Sequence, residues 1–102
     1  MTLARLEVLR ACALRYIWWE SSDEALRRPR RVIAQVMDLG TWEDVSDLLK
    51  ALGEDPFQDA LLHAEPGWFT ARSWHYWWRR LGALGSDEQV PPIPVRPFVE
   101  AS

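Results

Sequence analysis

Apolar residues recur every three or four positions along most of this chain, and the pattern breaks where glycine, proline or a capping residue stands. Between Leu3 and Trp18, Leu6, Leu9, Ala13 and Tyr16 form one stripe while Arg5, Glu7, Arg10 and Arg15 fall mostly elsewhere, which predicts a first helix. Ser21-Ser22-Asp23-Glu24 has the Ser-x-x-Glu form of a capping box, and Pro29 suits the first turn of a helix because its missing N–H is not needed there. A second helix is therefore expected to begin near Asp23 or, more cleanly, near Pro29. Ile33, Val36 and Met37 line its buried side, Val32 and Leu39 widen it, and Gly40 ends it. Thr41 caps a third helix carrying Val45, Leu48, Leu49 and Leu52, stopped by Gly53. Asp55-Pro56-Phe57-Gln58 opens a short fourth helix with Phe57, Ala60 and Leu61, with Asp55 as its cap. After the turn Glu65-Pro66-Gly67, Thr70 caps a fifth helix that Gly82 closes.

No segment alternates apolar and polar residues, so no sheet is expected. The fold class is all-α: a compact bundle of about five short helices over residues 1–85. Its expected core is Leu6, Leu9, Ile33, Val36, Leu48, Leu49, Leu52, Leu61, Trp74 and Trp77. Residues 86–102 have another character. Val90-Pro91-Pro92-Ile93-Pro94-Val95-Arg96-Pro97-Phe98 interleaves proline with bulky apolar residues, which favours an extended tail or a disordered one. Ile93, Val95, Phe98 and Val99 are nonetheless apolar enough to pack along the domain or onto a partner.

The aromatic pattern changes the picture most. Four of the seven tryptophans lie between residues 68 and 82, and Trp74, Trp77, Trp78 and Leu81 follow i, i+3, i+4, i+7. Trp18-Trp19 and Trp77-Trp78 are adjacent pairs, and neighbours on a helix point about 100° apart, so one buried stripe cannot centre on both members. A chain of 102 residues has room for a small core, and most of these rings fill it. One of each pair, or Trp42 at a helix start, or Trp68 in a turn, is expected to remain partly exposed. Tryptophan beside arginine is the composition of an interface hot spot.

Composition narrows the function classes. The length fits one domain, and no apolar run is long enough to span a bilayer. Arg5, Glu7, Arg10 and Arg15 interrupt the first segment, so it reads neither as a signal peptide nor as an anchor. Cys12 is the one cysteine, which suits a reducing compartment and a cytoplasmic location. Catalysis finds little support. His63 and His75 fall on different helices without metal-ligand spacing, no glycine-rich phosphate loop exists, and the acids cluster at helix starts where they offset the dipole. No enzyme activity, metal or cofactor is expected.

Nucleic acid is the alternative partner. Arg27, Arg28, Arg30 and Arg31 make a basic knot, and Arg72, His75, Arg79 and Arg80 give the last helix a basic outer side. Arg72, Arg79 and Arg80 are the candidate contacts for a regulatory nucleic-acid-binding protein. Against this stand a net charge of −3 and the third helix, whose Glu43, Asp44 and Asp47 would repel phosphate. Protein binding is the stronger reading, with Trp18, Trp19, Trp42, Glu43, Asp47, Trp68 and Trp78 as candidate contacts. A second copy of the chain is another partner that would bury surplus indoles by symmetry.

Trp18-Trp19-Glu20 is followed by Arg31-Val32-Ile33 with Val36 and Gly40, then Asp44 with Leu48 and Leu49, then Gly53, and finally Tyr76-Trp77. In this order the stretch from Trp18 to Gly82 resembles a small helical bacterial family whose genes tend to lie beside AbiEii/AbiGii-type nucleotidyltransferase toxins. The resemblance covers about two thirds of the chain and consists of structural residues. It implies an antitoxin that binds and restrains such a toxin. A toxin cleft of that class is expected to be basic, so the acidic third helix, with Glu43, Asp44 and Asp47 and nearby Glu54 and Asp55, is a complementary surface.

Overall fold

Arg28 precedes a proline, and the clash of the proline ring with the preceding backbone pushes it out of the helical region, to φ −126° and ψ 67°. The segment expected as one second helix is therefore two. A computed structural model describes residues 3–81 and 90–95, and within them the chain forms six helices and no strand. They are α1 (Leu3–Tyr16), α2 (Ser22–Leu26), α3 (Pro29–Leu39), α4 (Trp42–Leu52), α5 (Asp55–Leu62) and α6 (Ala71–Arg80). The architecture is the expected all-α bundle.

Hydroxyl caps set three of the starts. Ser21, Thr41 and Thr70 accept from the backbone N–H of Glu24, Asp44 and Ser73, each three residues on. The expected cap at Asp55 is not one: Asp55 is the first helical residue, and Glu54 occupies the cap position without a side-chain bond. With Pro56 in the first turn lacking an N–H, one of the donors that a cap would satisfy is already gone.

α3 is the hub and packs against each of the other five helices. That position explains why Val32, Ile33, Ala34, Val36 and Met37 are all buried, a face far wider than one stripe. Leu9, Cys12, Ala13 and Ile17 come in from α1, Val45, Leu48 and Leu52 from α4, Phe57, Ala60 and Leu61 from α5, and Trp74, Trp77 and Trp78 from α6. Two expected core residues differ. Leu49 is only partly buried, and Leu6 is 36% exposed. Leu9, Cys12 and Ala13 span about 100° of α1, and Leu6, about 60° from Leu9 on the side away from Cys12, is left on the rim of that face while Cys12 and Ile17 come inside.

The buried rings of α6 interlock with the hub. The indole N–H of Trp77 donates to the Met37 carbonyl at 2.8 Å, and its ring lies 5.6 Å from that of Phe57. The Trp74 indole N–H donates to the Pro91 carbonyl at 2.7 Å, while Val90 and Ile93 pack on the core. The described part of the proline-rich segment thus runs along the domain; Phe98 and Val99 lie outside the described residues. Asp38, near the end of α3, accepts from both the backbone N–H and the hydroxyl of Thr70 and so fixes where α6 begins.

Gly40 is extended, with φ −69° and ψ 153°, a conformation open to any residue. Glycine is needed there because its N–H bonds to the Val36 carbonyl at 2.7 Å, and a Cβ would sit 2.4 Å from that same oxygen. Gly40→Ala must therefore shift backbone at the α3–α4 junction. It is expected to cost about 1–3 kcal/mol, read as a lower urea midpoint at unchanged slope. At Gly53 the reason is different: φ is +82°, and the space around it is open.

Candidate protein interface

The end of α1 and the start of α4 are clipped together by one polar cluster. Tyr16 sits in the last turn of α1, half-buried against the core. Its hydroxyl donates to Asp44 Oδ2 and accepts from the backbone N–H of Thr41 at 3.2 Å. Arg15 donates Nη1 to both oxygens of Asp44, at 2.7 and 2.8 Å. Asp44 also follows the Thr41 cap, so a single carboxylate joins two helices and a helix start. Asp44 is thus taken up internally and is not free to meet a partner.

These bonds, first from Tyr16 and then from Arg15, hold the Asp44 carboxyl below its ordinary 3.8. A depressed native pKa means stability that is present above the unfolded value and lost as pH falls through the native one. The loss of stability as pH falls below about 4 is therefore expected to flatten in Asp44→Asn, with circular dichroism as the readout. The residual slope belongs to Asp59, which Arg30 depresses in the same sense. Cys12, beneath this cluster, has its thiol pushed up to about 11, chiefly by burial and then by Asp44, so it is unreactive near neutral pH.

Two aromatic loci flank the clip. On one side Ile17 is buried and anchors a corner from which Trp18 and Trp19 project, 78% and 51% exposed. Their rings meet edge to face at 5.7 Å, and Glu20 closes the corner by accepting two bonds from Arg28. On the other side Trp42, the first residue of α4, is 60% exposed with the Arg80 guanidinium 5.5 Å over its ring. Trp18 lies two residues past Tyr16 and Trp42 one past Thr41, so the Tyr16–Thr41 bond ties together the segments that carry the two loci.

Trp42 forms the lip of a groove of about 440 Å³ between the end of α3, the start of α4 and α6. Met37 and Trp77 give it an apolar floor, Asp38 and Thr70 a polar one, and Arg72 and exposed Tyr76 line the far wall. Tyr76 stands edge-on to Trp77 at 5.2 Å, which keeps its ring upright. Leu39, also exposed, belongs to the same end of α3.

The candidates from the sequence therefore divide. Trp18, Trp19, Trp42, Glu43 and Asp47 are at the surface, as are Arg72, Arg79 and Arg80. Trp68 is half-buried under Arg31, on a different cleft. Trp78 is a correction: it is 6% exposed and packs against Trp74 at 5.6 Å, so it belongs to the core and not to a surface. Trp77 and Trp78 are both buried because they fall on either side of Trp74, about 60° and 40° away, on one face about 100° wide. The Trp78 indole N–H has no acceptor among the described residues. Tyr76, not among the sequence candidates, is exposed and lines the groove. Arg72, Tyr76 and Arg80 stand four apart, and that spacing puts them on one face of the last helix.

Other chemistry finds no cluster here. Each histidine holds a carbonyl four residues back with Nδ1, His63 to Asp59 and His75 to Ala71. Among the described residues no three His, Cys, Asp or Glu side chains converge as metal ligands. None of the described helices is long and apolar enough to cross a membrane. The fold and surface define a small all-α domain with an outward aromatic and basic end. No protein-family model, no curated protein and no solved structure matches the chain.

Proposed function

We propose that this chain is a non-enzymatic protein-binding module working in the cytoplasm, and that its contact surface is the end bearing Trp18, Trp19, Trp42 and Tyr76. One observation carries the reading. The core is completed by Trp74, Trp77 and Trp78, while three other indoles stay at least half exposed, Trp18 and Trp19 against each other and Trp42 under the Arg80 guanidinium. Exposed indoles are unfavourable in water and strong at interfaces, and rings already held in place lose little freedom on binding.

The finer reading is an antitoxin that restrains a nucleotidyltransferase-type toxin. It is supported by the resemblance of residues 18–82 and by exposed acids, Glu43 and Asp47, within a turn or so of Trp42, which suit a basic nucleotide-binding cleft. Co-expression with the neighbouring gene product followed by co-purification tests it, and free chains eluting separately would refute it. Light scattering on the chain alone distinguishes a monomer from a symmetric dimer that uses the same indoles.

A second reading, binding of a nucleic acid, is favoured by the exposed Arg72, Arg79 and Arg80 around aromatic rings on which bases stack. Arg79 separates the two, because Arg80 already stacks on Trp42. A gel shift that weakens with salt and is lost in Arg79→Gln would favour this second reading.

A further inference from the structure

The junction of α2 and α3 gathers Arg27, Arg28, Arg30 and Arg31 around a cleft of about 410 Å³ whose other wall carries Asp59, Glu65 and Trp68. Two of the four guanidiniums are committed. Arg28 donates to both oxygens of Glu20 at 2.7 and 2.9 Å, and Arg30 Nε donates to Asp59 at 2.5 Å. The other two are not. Among the described residues Arg27 has no side-chain hydrogen bond or ion pair. Arg31 lies 5.7 Å over the ring of Trp68 and spends Nη1 on the neutral amide oxygen of Gln35, at 2.8 Å, with no carboxylate in contact.

Arg31 is also the arginine whose charge is least welcome. Burial first, and the neighbouring Arg28 second, pull its pKa down from the ordinary value. A half-buried guanidinium with no carboxylate in direct contact (Glu20, Asp38 and Glu65 act on it only at longer range), held by stacking and one hydrogen bond, is a pre-arranged fork with donors to spare. With exposed Arg27 on the same cleft, two guanidiniums without a bonded carboxylate match a doubly charged anion. The first turn of α3, which has no side-chain cap, adds positive potential of the same sign.

The cleft is several times larger than an inorganic phosphate and falls in the range of small-ligand pockets. We propose that it binds a phosphate monoester, the phosphate held by Arg27 and Arg31 and the organic part lying along the Trp68 wall. A dianionic phosphate fits the arginine fork better than a single carboxylate does, because it offers three acceptor oxygens to two guanidiniums.

Adenosine monophosphate is a suitable probe, with adenosine as the uncharged control, titrated at low salt by calorimetry and by amide chemical shifts. The expected result is saturable binding below about 1 mM for the nucleotide and none for adenosine. Arg27→Gln and Arg31→Gln should each weaken it by about tenfold or more. Arg27 is exposed, so its variant keeps the fold even where loss of the Arg31–Trp68 stack does not. Absence of saturation up to about 10 mM, equal binding of adenosine, or wild-type affinity in Arg27→Gln would overturn the proposal. Trp42→Ala leaves this site untouched, so its failure and that of the protein-binding reading are separable.

Discussion

Trp77→Ala is expected to remove about 5 kcal/mol of folding free energy, the largest effect of any single substitution proposed for this chain. The side chain is 2% exposed, packs on Phe57 and Tyr76, and satisfies a buried carbonyl on the hub helix. Truncating a buried tryptophan costs about 3–5 kcal/mol through lost transfer energy and the cavity left behind. Orphaning the Met37 carbonyl adds about 1–3 kcal/mol. A domain of this size has about 5–15 kcal/mol in total, so the variant should be marginal or unfolded at room temperature. Trp77→Phe fills part of the space but cannot donate, and should fall between the two. Trp42→Ala, on the exposed side of the same groove, should change stability by no more than about 0.5 kcal/mol. Urea melts followed by far-ultraviolet circular dichroism check all three. A Trp77→Ala midpoint near that of the wild type would mean that α6 is not docked as described.

The helices were legible because their signals are local. Thr41, Thr70 and Ser21 cap the helices that follow them, and the spacings at Ile33, Val36 and Met37 or at Val45, Leu48 and Leu52 report directly on buried faces. The misreadings needed information that no window of sequence contains. Whether Leu6 or Cys12 faces inward depends on how α1 is rotated against α3, and both rotations satisfy a period of 3.6. Trp78 is inside because it shares the face of Trp74, Trp77 and Leu81, and how much of that face the neighbouring elements cover is not set by the helix alone. The split between α2 and α3 could have been read from Arg28-Pro29, since a residue before proline avoids the helical region.

For the surface, the sequence supplied the residue types and the fold supplied their grouping. Trp18 and Trp42 are 24 positions apart, and no periodicity joins them. What joins them is Tyr16, which reads from composition as one more apolar residue of α1. Its hydroxyl, bonded to Thr41 and Asp44, joins the end of α1 to the start of α4, the two segments from which the indoles project. Asp44, counted among partner-facing acids, is instead consumed in holding that end together.

Trp18→Ala and Trp42→Ala are each expected to weaken partner binding by about 30-fold, roughly 2 kcal/mol, with no loss of fold. Both rings are well exposed, so truncation opens no cavity in the free chain, and the whole effect appears in the complex. The magnitude follows from desolvation: an indole that is mostly wet in the free protein gains most when a partner covers it. Arg80 should behave differently from a rim charge, because it stacks on Trp42 and helps to hold the ring upright. Arg80→Lys keeps the charge but loses the planar stack, and should raise the dissociation rate more than it lowers association. Glu43→Gln and Asp47→Asn, by contrast, should slow association in a salt-dependent way and leave lifetime nearly unchanged. Surface-immobilised partner, taken first as the nucleotidyltransferase-type toxin, gives both rates. If the double variant of Trp18 and Trp42 binds that partner as the wild type does, this end of the molecule is not the interface, whatever the partner proves to be.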